Sequence, residues 1–167
     1  SIACIKTTQL IRLLTKVGCE VKVVMTEAST QFISPITFAS LSGNPVHSDF
    51  TENKDSGEWV NHVHLGLWAD AVVIAPCTAN TLAKLVMGQC DHFMMAVVMS
   101  SRCPLFIEPA MDHDMYLHEG TQQNITTLSE RGHIILDATE GSLASGLEGK
   151  GRMMEPEEIL VNLQSYF

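Results

Sequence analysis

Four short stretches of this 167-residue chain concentrate groups able to bind or transform a small molecule. Pro76-Cys77-Thr78-Ala79-Asn80-Thr81 offers two hydroxyls and an amide directly after an apolar run. Thr and Asn suit a helix cap, and a capped helix N-terminus also presents N–H groups to an anion, so capping and ligand binding coexist there. Pro109-Ala110-Met111-Asp112-His113-Asp114-Met115-Tyr116 combines two carboxylates, a histidine and two methionines, more chemistry than a plain turn requires. Ser1-Ile2-Ala3 and Thr26-Glu27-Ala28-Ser29 are small and polar, and each alone reads equally as a turn or as a ligand contact.

Histidine is the side chain best suited to moving a proton near neutral pH, and the chain has seven. His62 and His64 are two apart in WVNHVHLGLWAD, so they share a face on a strand and diverge on a helix. A zinc site on this pair would need His113, Asp114 or His118 to complete it. That spacing matches no metal motif, and no metal is expected.

These groups need a scaffold, and the alternation of apolar runs with helical stretches is that of a parallel sheet covered by helices on both faces. Strands are predicted over residues 20–25, 71–75, 105–107 and 133–136, and helices over 5–17, 35–41, 78–87, 121–131 and 156–166. Gly18, Gly88 and Gly132 stand where helix ends favour a left-handed residue, and Pro156 suits a first turn. The fold expected is α/β, a three-layer Rossmann-like (flavodoxin-like) domain covering 1–167. Such a domain normally opens with a strand feeding a phosphate-binding turn, whereas this sequence opens at Ser1 directly into a loop and helix, so a first strand is expected ahead of it. In open α/β sheets ligands bind beyond the carboxyl ends of the strands, which is where the four segments fall.

Composition narrows the partners. A net charge of −9 opposes nucleic-acid and anionic-membrane binding, which call for a basic face. Five scattered cysteines without a CxxC pair fit a reducing cytoplasm. No apolar run approaches the roughly 18 residues that a membrane span needs.

Read together, SIACIK, HVHLGLWADAVVIAPCTANTLAKLVMG, PAMDHDMY and GSLASGLEGKGRMMEPEEI resemble, in order, the homo-oligomeric flavin-containing cysteine decarboxylase family. The PAMxxxM and GKGRM blocks favour its coenzyme A branch, which decarboxylates 4'-phosphopantothenoylcysteine to 4'-phosphopantetheine. The resemblance implies FMN surrounded by Ser1, Ile2, Thr26, Glu27, Ala28, Thr78, Ala79, Asn80, Thr81 and Ala110. It implies His62 as catalytic base, with His64 at a variable position, and a substrate held by Met111, Asp112, Met115, Ala144 and Ser145. The implied chemistry oxidises the thiol to a thioaldehyde, which provides the electron sink for CO2 loss, and then reduces the enethiol. A homotrimer or dodecamer with FMN at a subunit contact, and a linked phosphopantothenate–cysteine ligase domain, are implied as well.

Two positions depart from the family's pattern. Asp112 stands where asparagine is usual, so an ionised side chain there would repel the substrate carboxylate rather than bind it. It is then either protonated, or a group that helps expel CO2, or a sign of another substrate. Ser145 replaces the cysteine of Ala-Cys-Gly, the proton donor implied for the reductive half, and a hydroxyl is a far weaker acid than a thiol. The resemblance turns the glycine-rich stretch 141–151 into a flap over the substrate. Peptidyl-cysteine decarboxylation, flavin prenyl transfer and a non-catalytic regulatory FMN-binding subunit are the alternatives.

Overall fold

The computed structural model describes residues 1–53 and 55–166; Phe167, the last residue of the expected domain, lies outside them. In chain order the elements are α1 (Cys4–Lys16), β1 (Val23–Val24), a 3-10 turn (Glu27–Gln31), α2 (Pro35–Ser42), β2 (Val46–His47), β3 (Thr51–Asn53), β4 (Glu58–Trp59), α3 (His62–Trp68) and β5 (Val72–Cys77). They continue with α4 (Ala79–Met87), α5 (Phe93–Ser100), β6 (Leu105–Pro109), α6 (His113–Leu117), α7 (Glu119–Glu130), β7 (Ile134–Ile135), β8 (Thr139–Ser142), β9 (Glu148–Arg152) and α8 (Pro156–Tyr166).

The central sheet runs β5–β6–β7, all parallel, with Val73 opposite Phe106 and Phe106 opposite Ile134. A strand covered on both sides must be apolar on both, and every residue of β6 is buried. Leu105 and Ile107 pack with Ile74, Leu82, Met95 and Leu128 on one face. Phe106 packs with Leu10, Ile159 and Leu163 on the other, which gives the expected three layers. Helix α1 joins two cores: Leu10 reaches β6 and α8, while its neighbour Ile11 meets β1 and α2 through Val23 and Phe38. Thr7 Oγ1 donates to the Ala75 carbonyl at 2.8 Å and pins α1 to β5.

The predicted strand over 20–25 is paired only at Val23–Val24, because the Asn44 side chain, not a strand, donates to the Val21 carbonyl (2.9 Å). Helix α7 begins two residues earlier than predicted, since the His118 ring accepts from Gly120 N–H at its start. The glycines at 18, 88 and 132 all adopt positive φ, as expected of helix ends. Three helices, α3, α5 and the short α6, had not been predicted. In α5 (FMMAVVMS) five of eight residues are buried, so no amphipathic period marks it. In α3 a glycine is required, because a Cβ on Gly66 would come 2.8 Å from the Ser100 backbone.

Candidate functional site

Three of the four chemistry-bearing segments meet at the carboxyl edge of the central sheet. Ala110 N–H donates to the Cys77 carbonyl (3.0 Å), which holds the stretch after β6 against the end of β5. Ala3, just ahead of α1, packs in the same apolar cluster as Ala75 and Ala110. Thr78 caps α4 by accepting from Thr81 N–H (3.3 Å), and the two threonine hydroxyls lie 3.2 Å apart. This leaves Ala79 and Asn80 to present the first N–H groups of α4. The fourth segment closes the end of β1, where Thr26 Oγ1 accepts from Ser29 N–H (3.2 Å) and Glu27 and Ala28 are exposed.

His62 stands apart from these hydrogen bonds, as the first residue of α3 after the Asn61 cap. Its ring lies edge-on to Phe50 at 5.7 Å, Phe50 in turn meets Phe93 at 5.3 Å, and His62 Nδ1 is buried without a hydrogen-bond partner. His64 is exposed and diverges from His62, as a helix dictates. Beside His62 the helix shows Val63, Leu67 and Trp68 to solvent.

The glycine-rich stretch is an antiparallel hairpin, β8 paired with β9. Ala144 and Ser145 form its exposed tip, where Ser145 Oγ accepts from Leu147 N–H at 3.4 Å. Its base is clamped three ways. Met111 N–H donates to the Gly151 carbonyl (3.0 Å), Lys6 Nζ donates to the Met153 carbonyl (2.6 Å), and Glu108 Oε1 accepts from Met154 N–H (2.7 Å). Lys6 also pairs with Glu155 at 2.9 Å.

Glu108 is fully buried, and its second oxygen has no partner among the described residues. Burial pushes its carboxyl up to about 8, against the downward pull of the Met154 N–H and Lys6, so it is largely protonated at neutral pH. The fully buried Cys77 thiol is raised by the same burial and then by Glu108. Sequence reasoning passed over Glu108, although a carboxylate inside the apolar run LFIEP was the available signal.

Asp112 occupies the N-cap position of α6 without making a side-chain cap bond, and its half-buried carboxylate has no hydrogen bond or ion pair among the described residues. Met111 packs against the α4-side core, and Met115 is exposed. The candidate metal ligands go elsewhere: His113 faces the Lys150 carbonyl and His118 caps α7. No group of three potential ligands gathers among the described residues. Among these residues, too, no helix is long and apolar enough to cross a membrane.

A family model described as Flavoprotein matches residues 1–166. The chain belongs to the Flavoprotein family. Among relatives of this flavoprotein, a cysteine/cysteine sulfinic acid decarboxylase from an unknown prokaryotic organism is 50% identical over 135 residues, 81% of this chain and 37% of that protein. The coenzyme A biosynthesis bifunctional protein CoaBC of Haemophilus influenzae is 40% identical over 99% of this chain and 41% of its own length. The chain thus spans about two-fifths of the length of these relatives. A solved PPC decarboxylase, a cysteine-to-serine mutant complexed with pantothenoylaminoethenethiol, superposes with a TM-score of 0.85 at 32% identity, covering 99% of this chain and 92% of that one. The FMN binding protein AtHal3 gives 0.82 at 31% identity, covering 100% and 91%. The flavodoxin-like fold expected from sequence is therefore observed.

Proposed function

We propose that this flavoprotein is an FMN-dependent decarboxylase domain that converts 4'-phosphopantothenoylcysteine to 4'-phosphopantetheine. The observation that carries the reading is the gathering, at one sheet edge, of a hydroxyl-lined helix N-terminus, the Ala110–Asp112 stretch and a glycine-rich hairpin bonded to that stretch. The donor set fits a phosphorylated flavin. Ser1, Ile2, Thr26, Glu27, Ala28, Thr78, Ala79, Asn80, Thr81 and Ala110 would hold it with hydroxyls, helix-terminal N–H groups and a small side chain that leaves room for a ring. When bound, the flavin supplies hydride acceptance and return, which makes loss of CO2 redox-neutral overall.

The chain's own residues bind, orient and move protons. His62, whose buried Nδ1 has no partner, takes the proton of the substrate thiol. Met111, Met115 and Ala144 provide apolar contacts along the substrate. Asp112 lies beside the departing carboxylate and favours its loss by repulsion. Ser145, at the exposed tip, relays a proton from water to the enethiol carbon in the reductive half. His62 stands apart from the sheet-edge segments, and Val63, Leu67 and Trp68 are exposed beside it, in keeping with a homotrimer or dodecamer whose site is completed at a subunit contact. In a longer protein a phosphopantothenate–cysteine ligase domain would deliver the substrate. All five cysteines are unpaired, which agrees with a cytoplasmic setting.

One observation favours a second reading, decarboxylation of free cysteine or cysteine sulfinic acid. The uncommitted Asp112 carboxylate would pair with a free ammonium, a group that is acylated in 4'-phosphopantothenoylcysteine. The test is mass spectrometry of products after incubating the flavin-loaded protein with each of the three compounds. Release of 4'-phosphopantetheine with a His62→Asn loss of roughly 100-fold or more supports the main reading. Turnover of cysteine or its sulfinate alone overturns it in favour of the second.

A further inference from the structure

His113 lies in the middle of the Met111–Met115 stretch, yet none of the roles above employs it. Its ring faces the hairpin, where Nδ1 is 3.1 Å from the Lys150 carbonyl. That carbonyl belongs to β9 and lies between two glycines packed tightly on the same stretch. A Cβ on Gly149 would come within 2.7 Å of His113 Cγ, and one on Gly151 would collide with the Met111 carbonyl oxygen. The strand has therefore given up side chains on either side of Lys150, and the imidazole fills the space left over Gly149. The Lys150 amine is held over the Tyr116 ring at 5.5 Å and 4.0 Å from Asp137, which keeps the same strand over α6.

We propose that His113 is a positioning residue that latches the β8–β9 hairpin over the stretch carrying Met111 and Asp112, with Nδ1–H donating to the Lys150 carbonyl and the ring face seated on Gly149. The hydrogen bond fixes the ring tautomer, and the ring sets how closely the hairpin approaches. The tip that carries Ala144 and Ser145 is several residues beyond the latch, so the latch sets its reach without touching it. The effect on turnover rests on the decarboxylase reading; the effect on hairpin order does not.

Two readouts test this. In hydrogen exchange on the flavin-loaded protein, His113→Ala is expected to lower protection across residues 139–152 by about tenfold, with α8 and β5 unchanged. His113→Asn, whose amide can still donate to the Lys150 carbonyl, is expected to keep most of the protection. His113→Ala should also relieve part of the damage caused by Gly149→Ala, because the ring that the new Cβ would strike is gone. With 4'-phosphopantothenoylcysteine, His113→Ala is expected to raise KM about tenfold and change kcat only a few-fold. Unchanged hairpin protection in a folded His113→Ala protein overturns the latch, as does strict additivity of the two substitutions. Lost protection with an unchanged KM overturns its bearing on substrate. If the parent does not turn over this compound, the exchange and additivity results still decide the latch, and the failure belongs to the substrate assignment alone.

Discussion

The carboxyl edge of β5 and β6 and the β8–β9 hairpin both carry residues of the candidate site, but they are held by different forces. At the sheet edge Cys77, Leu82, Ile107 and Pro109 are almost wholly excluded from water, and the chemistry-bearing segments are extensions of buried strands and a capped helix. Burial of that kind is worth about 1.5–3 kcal/mol for each large side chain. The hairpin has glycine at 141, 149 and 151 and an exposed tip, and its base is held by a few hydrogen bonds with Met111, Lys6, Glu108 and His113. Such a segment can open at small cost while the sheet edge stays fixed. A rigid platform that grips a cofactor and a tethered cover that admits a substrate are the division of labour the decarboxylase reading needs.

The sharpest way to break this comparison is to weaken each region in turn. Leu82→Ala, in the core at the sheet edge, is expected to cost about 2–5 kcal/mol in denaturant unfolding, whereas Leu147→Ala near the hairpin tip should stay within about 0.5 kcal/mol. Equal losses would mean that the hairpin is as integral to the fold as the sheet. Next in size is Gly151→Ala, which sets a methyl against the Met111 carbonyl and is expected to cost about 1–3 kcal/mol while raising exchange at residues 139–152. Unaltered exchange would show that the hairpin's grip lies elsewhere.

Glu108 sharpens the comparison through pH. Its folded carboxyl titrates near 8, above the ordinary carboxyl value, so the folded state holds its proton more tightly than the unfolded chain does. The stability that depends on this proton is complete below about pH 4 and is lost as pH rises through the folded value near 8. Glu108→Gln keeps an acceptor for Met154 N–H and removes the titration, so it is expected to flatten the stability profile between pH 5 and 9 and to exceed the parent by about 1–2 kcal/mol at the alkaline end. Parallel profiles for the two proteins would remove Glu108 as their cause. The smallest expected effect is at the tip. Ser145→Cys should leave unfolding unchanged and raise the ratio of 4'-phosphopantetheine to enethiol product a few-fold, read by mass spectrometry, since a thiol is the stronger acid. An unchanged ratio would show that Ser145 does not limit the proton transfer.

Much of this was legible in the sequence, and the limits have physical causes. AVVIA and LFI were read as strands and both lie in the central sheet, and the end signals at Gly18, Gly88 and Gly132 were read correctly because a left-handed helix terminus restricts residue choice locally. Thr78 and Thr26 were recognised as small polar groups after strands, and both do cap the turns that follow. Helix α5 escaped because a helix buried on most sides has no polar stripe to reveal its period, and α3 and α6, with seven and five residues, are too short to display one. No strands were predicted over the hairpin, because Gly149 and Gly151 answer to the Met111–His113 stretch across the fold rather than to their neighbours in sequence.

By itself, then, the order of residues determined the central strands, the helices with clear periods or end signals, and three of the segments at the sheet's carboxyl edge, since periodicity and capping act over a few residues. Tertiary structure alone decided that His62 sits apart among Phe50 and Phe93, that Glu108 keeps its proton, and that His113 bears on Lys150. Each depends on groups tens of residues distant in sequence, and burial and close approach arise only when those distant groups are brought together.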